Sequence, residues 1–459
     1  MLTRTALGAV DGLWLSAERP GNVMVVDTVV WTATPLDREQ LLEVATERVW
    51  WRYPAFRSRP VRDGSGRWWW LEDAGCDIVD LVEDEVLSDP EDPTALQRLV
   101  ASTRHEPLPR DRPLWNAVFV PRYRGGSAVV LRTHHALADG VRMVQVATGL
   151  FDASPSGGAV LPPPGAQYAA GSPAPTDGRQ PGPSLRHLAA NPVGTLHGFL
   201  GTAAEDAVRL AGTVVADVDA ARKLVLGTRD DATVWTGTAT GETFVGWTGH
   251  HPLEGLRQTA RSHACTVNDV VVAAVALGLH RYLSRLGRPP RAVTFMVPVN
   301  LVPIDPTLPV SLGNNFALVQ LELPTGSADP VDVLRTVHRR TLRIKAGHEP
   351  VVDLAVERLV AGLGPVVFRA AVDLLAARAT GVLTNVPGPP FPVYLAGSKV
   401  DGMVGWAPVL GDQPLSFAAC SYDGSLVVGV AADSGLVADA DTLVADVGAA
   451  LGELVPGGT

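Results

Sequence analysis

Residues 134–140 read His-His-Ala-Leu-Ala-Asp-Gly, and no other stretch of the chain gathers so many side chains able to move a proton. An unperturbed imidazole ionises at about pH 6.5, so His134 or His135 can be uncharged at neutral pH and accept a proton from a reacting hydroxyl. Asp139 is suited to cap a helix, and Gly140 lets another group approach the backbone closely. Histidine and aspartate also bind metals. Adjacent side chains on extended backbone diverge, however, and no further His, Cys or Asp cluster completes a ligand set by spacing, so no metal is expected. The chain has neither a Gly-x-Ser-x-Gly elbow nor a Walker A phosphate loop, which argues against a serine hydrolase and a nucleotide-hydrolysing enzyme.

The elements around the motif decide where those side chains stand. Ser127-Ala-Val-Val-Leu-Arg-Thr133 reads as a buried strand, and the spacing of Val141, Met143, Val144, Val146 and Ala147 predicts a helix after Gly140. The histidines then sit at a strand end in a loop that opens a helix, where the partial positive charge of the helix terminus favours an uncharged ring. Asp37 to Trp51 has helical spacing, and Arg67-Trp-Trp-Trp-Leu71 reads as the second strand of a hairpin after the turn Asp63-Gly-Ser-Gly66.

Residues 152–186 are rich in Pro, Gly, Ser and Ala and read as a linker without strand or helix periodicity; residues 187–227 read as amphipathic helices. A second mixed block follows. Thr243–Trp247 is a strand, and Thr266-Val-Asn-Asp269 caps a long apolar helix ending near Leu283. Val293–Val299, Ala317–Leu323 and Leu426–Ala431 are further strands, and Asn385-Val-Pro-Gly-Pro389 reads as a rigid turn. The expected organisation is an N-terminal lobe over 1–151, a linker with crossing helices over 152–232, and a C-terminal lobe over 233–459.

Composition narrows the function classes. The formal net charge of −10 and the lack of any Lys/Arg-rich run exclude a nucleic-acid partner. Three scattered cysteines give no disulfide framework and fit a reducing cytosol. Asp11 interrupts any apolar signal core near Met1, and no apolar run approaches the roughly 18 residues of a membrane span. A cytoplasmic protein is expected, at most peripheral on the inner membrane face or on lipid bodies.

The spacing His134-His135-x-x-x-Asp139-Gly140 matches the signature of the CoA-dependent acyltransferase superfamily, which condensation domains of nonribosomal peptide synthetases share. Other segments select a branch. Val10-Asp11-Gly-Leu-Trp-Leu15, Pro107-Leu-Pro-Arg-Asp-Arg-Pro-Leu-Trp115, Thr266-Val-Asn-Asp-Val-Val271, Asn385-Val-Pro-Gly-Pro389 with Tyr394-Leu-Ala-Gly397, and Ser421-Tyr-Asp-Gly424 resemble the bacterial wax ester synthase/diacylglycerol acyltransferase family, in the right order along nearly the whole chain.

The resemblance implies an α+β fold, a mixed α/β sandwich of two chloramphenicol-acetyltransferase-like lobes joined by a linker and crossover helices. The active-site channel would lie at the lobe interface. It implies that His135 is the general base beside His134, that Asp139 fixes the loop, and that Gly140 keeps the channel open. Asn268, Asp269, Asn385, Pro387 and Gly388 would shape that channel, against a plainer reading of Asn268 and Asp269 as helix caps.

The implied reaction is acyl-CoA-dependent O-acyl transfer to diacylglycerol or a long-chain alcohol, with acyl-CoA as co-substrate and no permanently bound cofactor. Two alternatives stand beside it: tailoring of a specialised metabolite, with an acyl carrier protein as partner, and a catalytically degenerate lipid- or protein-binding scaffold. Three segments depart from the family pattern. Thr233-Val-Trp-Thr-Gly237 replaces a usual Pro-Leu-Asn-Gly, and Asn300-Leu-Val302 stands where an Arg usually follows Pro298-Val299. Asn22-Val-Met-Val25 lacks a His often found after the Met. Without that Arg, Asp139 must find another cation or serve as a cap.

Overall fold

The computed structural model describes residues 3–160, 235–346 and 373–455, apart from 20, 74, 236, 288–290, 301–311, 315 and 375. These residues belong to one structural unit, 1–164 together with 228–459. The amphipathic stretch 187–227, most of the linker and residues 301–302 lie outside the described residues.

Eight described strands form one mixed sheet in the order Val82–Asp84, Trp115–Tyr123, Gly126–His134, Val25–Thr32, Ser398–Trp406, Tyr394–Leu395, Asp152–Ser154 and Gly157–Ala159. The strand leading to the histidines is therefore central. Its neighbour Val25–Thr32 buries Val25, Asp27, Val29 and Trp31 at the period of two expected of extended backbone. Val25 lies opposite His134 in the ladder, which ties the motif to the N-terminal segment. On the other side of Val25–Thr32 runs Ser398–Trp406, from the C-terminal half of the chain. Gly402 makes that pairing fit, because a Cβ there would stand 2.1 Å from the Trp31 ring.

A second sheet runs Thr243–Trp247, Ser425–Asp433, Leu415–Tyr422, Gly381–Pro387, Val293–Asn300 and Phe316–Leu323. Val29, Trp31, Val118, Val130, Val404 and Trp406 from the first sheet share a buried cluster with Val245, Val427 and Ala431 from the second. The other face of the second sheet is covered by Val267–Arg285, whose buried run from Asp269 to Leu279 packs on helix Ala440–Glu453. A side chain apolar all round is what a helix needs when neighbours enclose it. Among the described residues no single helix is long and apolar enough to cross a membrane.

Two expectations are corrected. Residues 152–159 form a short antiparallel hairpin that extends the first sheet, not unstructured linker. Asn385–Pro387 continues a strand paired in parallel with Ala419–Ser421, so the turn begins only after Pro387. Local Pro and Gly content signals a break, but the ladder of a central strand outweighs it up to the last residue.

Candidate active site

The strand Gly126–His134 delivers the motif and the helix Gly140–Gly149 carries it away, as the apolar spacing predicts. In the loop between, the His134 backbone N–H donates to Leu114 O at 3.0 Å and the His135 N–H to Met24 O at 2.7 Å. Asp139 is the helix N-cap: one carboxylate oxygen accepts the Arg142 N–H at 2.9 Å. Arg142 Nε stands 4.0 Å from the other oxygen. Both roles left open by the absent family arginine, a cation partner and a cap, are thus filled within one turn. Gly140 is exposed, with open space where a Cβ would stand among the described residues.

His135 is 9% exposed and its ring faces Trp14, with centroids 4.7 Å apart. Burial pushes its pKa down to about 4, while the charge of Asp139 pulls the other way. The ring is uncharged at neutral pH, as sequence position suggested, but burial rather than the helix terminus is the main cause. Such a ring can accept a proton from a hydroxyl and give it up again.

His134 is built differently. Its Nδ1 accepts the Ala136 N–H at 3.0 Å, which places the ring proton on Nε2, and Nε2 lies 3.5 Å from Glu18 Oε1. Glu18 also accepts from Arg110 at 2.9 Å. Burial alone would raise the Glu18 carboxyl, but His134 and Arg110 outweigh it and hold it at about 2. With Nδ1 bonded inside the loop and Nε2 facing Glu18, His134 braces the loop. Glu18 and Arg110 carry no local mark of this role, because they meet only when residues far apart in sequence fold together.

A further contact reaches the loop from the C-terminal half. Gly313 O lies 3.4 Å from the Asp139 N–H. Asn314 Nδ2 donates to the His135 carbonyl at 2.9 Å and to Asp11 Oδ1 at 2.8 Å, and the Asn314 N–H reaches the same Asp11 oxygen at 3.1 Å. Burial raises the Asp11 carboxyl against those bonds, with the charge of Asp139 adding to it. Asp11 falls in a segment that sequence had singled out; Asn314 does not, and the preceding Gly313 is the one local hint of a close approach.

The remaining sequence candidates fall in two places. Asn268 Oδ1 accepts from Asn385 Nδ2 at 3.0 Å, joining the start of the long helix to strand Gly381–Pro387, against which helix Gly140–Gly149 lies. Asn385 and Pro387 are exposed; Gly388 is half-buried, and a Cβ there would stand 2.5 Å from Ser421 O. Asp269 is 1% exposed and fully engaged: it caps Thr266 in a capping box, accepts from the Thr341 hydroxyl at 2.6 Å, and lies 2.9 Å from His338 Nδ1. Burial alone would raise this carboxyl too, but the bonds from Thr341, Thr266 and His338 leave it lowered. Asp269 therefore fastens helix Val267–Arg285 to helix Pro330–Ala346.

The sequence matches the family model of the wax ester synthase/diacylglycerol acyltransferase catalytic domain over residues 7–271 and that of the WS/DGAT C-terminal domain over 312–455. A putative diacylglycerol O-acyltransferase of Mycobacterium tuberculosis is 28% identical over 397 residues, covering 83% of this chain and 81% of that protein. A probable diacylglycerol O-acyltransferase of the same species is 26% identical over 407 residues, covering 87% and 83%. Among solved structures, the wax ester synthase/diacylglycerol acyltransferase from Marinobacter aquaeolei VT8 superposes with a TM-score of 0.66 at 20% identity, covering 98% of each chain. The first condensation domain of the CDA synthetase superposes at 0.59 with 19% identity, over 100% of this chain and 97% of that one. Those likenesses show the two-lobe fold that the motif implied. With both family models matched across most of its length, the chain belongs to the wax ester synthase/diacylglycerol acyltransferase family, a family of O-acyltransferases.

Proposed function

We propose that this protein transfers an acyl group from acyl-CoA to the hydroxyl of diacylglycerol or a long-chain alcohol, forming a neutral lipid ester, with His135 as general base. The observation that carries the reading is the His135 imidazole at the strand end, buried against the Trp14 ring, where burial lowers its pKa and leaves it uncharged at neutral pH. His135 takes the hydroxyl proton as the oxygen attacks the thioester carbonyl. The tetrahedral centre then collapses, the carbon–sulfur bond breaks, and the imidazolium returns its proton to the departing thiolate. Atoms and charges balance with no acyl-enzyme and no resident cofactor; acyl-CoA is consumed as a substrate.

General-base help of this kind is worth about 10²–10⁴-fold, so holding the two substrates together must supply most of the rate. His134, clamped by Glu18, and Asp139, capping the next helix, serve that end by fixing the loop. Both acceptors partition into lipid, so the protein would meet them at a membrane or lipid-body surface facing the cytoplasm. Purified protein incubated with labelled palmitoyl-CoA and either dioleoylglycerol or hexadecanol should yield labelled ester with release of thiol. His135→Ala should abolish both. Ester formed equally well by the variant would refute the mechanism, and thiol release requiring an acyl carrier protein as donor would favour the tailoring reaction instead.

A further inference from the structure

The amide of Asn314 is locked in one orientation. Its Nδ2 donates to the His135 carbonyl and to Asp11 Oδ1, and neither acceptor could face the amide oxygen in its place. Oδ1 must therefore point the other way, where it is buried and, among the described residues, meets no donor at good hydrogen-bonding geometry. An amide oxygen in that state is costly unless a polar group answers it. The group concerned is the His135 imidazole, which interacts with the Asn314 side chain and with its own backbone carbonyl. That carbonyl is the oxygen Asn314 Nδ2 holds at 2.9 Å. Asn314 thus supplies one oxygen that the ring meets and holds another in place.

We propose that Asn314, anchored by Asp11, is the positioning residue that keeps the His135 proton on Nδ1 and so leaves Nε2 to take the hydroxyl proton. This rests on His135 being the base. It adds that a residue of the C-terminal half, reaching across to the loop, sets which ring nitrogen reacts. The other titratable groups acting on the ring are Asp139, which favours its charged form, and His134, which opposes it. Neither is altered by a change at position 314.

The test uses Asn314→Ala and Asn314→Asp in the full chain, with circular dichroism to confirm folding; Asn314→Asp, nearly the same size, decides if Asn314→Ala does not fold. Nitrogen-15 NMR of labelled histidine, with His135 assigned by its loss in His135→Gln, should show Nδ1–H in the wild type and a mixture of tautomers in Asn314→Ala. The turnover number of Asn314→Ala should fall about 10–100-fold with KM unchanged, the range seen when a group that orients a functional histidine is removed. The acid limb of the rate profile should move to lower pH in Asn314→Ala, where a group favouring the imidazolium is lost. It should move in Asn314→Asp as well, where an oxygen replaces the amide nitrogen against Asp11 Oδ1 and the bond that holds the His135 carbonyl is lost. An unchanged tautomer in both variants, or an acid limb that stays put in both, overturns the assignment. A wild type that makes no ester would instead refute the acyl-transfer reading, since the tautomer is read without turnover.

Discussion

Replacing Glu18 by glutamine removes one charge while nearly preserving shape, and the consequence follows from three contacts. The side chain is 6% exposed; it accepts from Arg110 at 2.9 Å and from the Met24 N–H at 3.3 Å, and it lies 3.5 Å from His134 Nε2. Held at about 2 against an ordinary 4.5, the carboxyl contributes about 3 kcal/mol of folding free energy at neutral pH. Arg110 is 38% exposed, so water screens its share, and a loss of about 2 kcal/mol is the working figure for Glu18→Gln. The sign is fixed by the lowered value. The contribution is fully present above 4.5 and fades as pH falls towards 2. Urea denaturation of both proteins, followed by tryptophan fluorescence, should show a gap near neutral pH that narrows markedly by about pH 3. His135 is the same in both proteins and cancels. A gap of equal size at both pH values would mean that packing, not charge, secures the loop, and would refute the argument for Glu18.

Asp139→Ala should cost about 1 kcal/mol in thermal denaturation, while Asp139→Asn, which can also cap, should lose much less; equal losses would assign the role to charge instead. Asp269→Ala removes the buried carboxylate that the Thr341 hydroxyl, the Thr266 N–H and His338 share, so about 2 kcal/mol should be lost, and an unchanged melting temperature would contradict the helix-fastening role. Gly402→Ala pushes a methyl group into the Trp31 ring where Ser398–Trp406 joins the first sheet, and should destabilise by about 1–3 kcal/mol; a variant as stable as the wild type would show that the pairing is loose.

Much of this was legible locally. The strand into His134, the cap at Asp139 and the capping box at Thr266–Asp269 are each written in a few adjacent residues, and the fold keeps them. What could not be read is what distant residues do to them. Nothing in Ser398–Trp406 says that it will pair with Val25–Thr32 instead of a nearer strand, because alternation reports a buried face and not a partner. Asp269 reads as an ordinary cap until His338 and Thr341 arrive from a helix that begins at Pro330. Glu18 and Asn314 lie in no pattern, and Arg110 lies in a segment marked only by its resemblance to the family; all three matter because of where the chain brings them. The depressed pKa of His135 was expected from a helix end and is due mainly to burial, a property of tertiary packing.

The most direct test of an uncharged His135 acting as base is the pH dependence of thiol release with acceptor present, in the wild type and in His135→Gln. The wild-type rate should be flat above about pH 5 and fall on a single proton near the ring's pKa of about 4. The variant should show neither that rate nor that limb. An acid limb near 6.5 would contradict the buried, uncharged base, and a variant that kept the wild-type profile would remove His135 from the reaction.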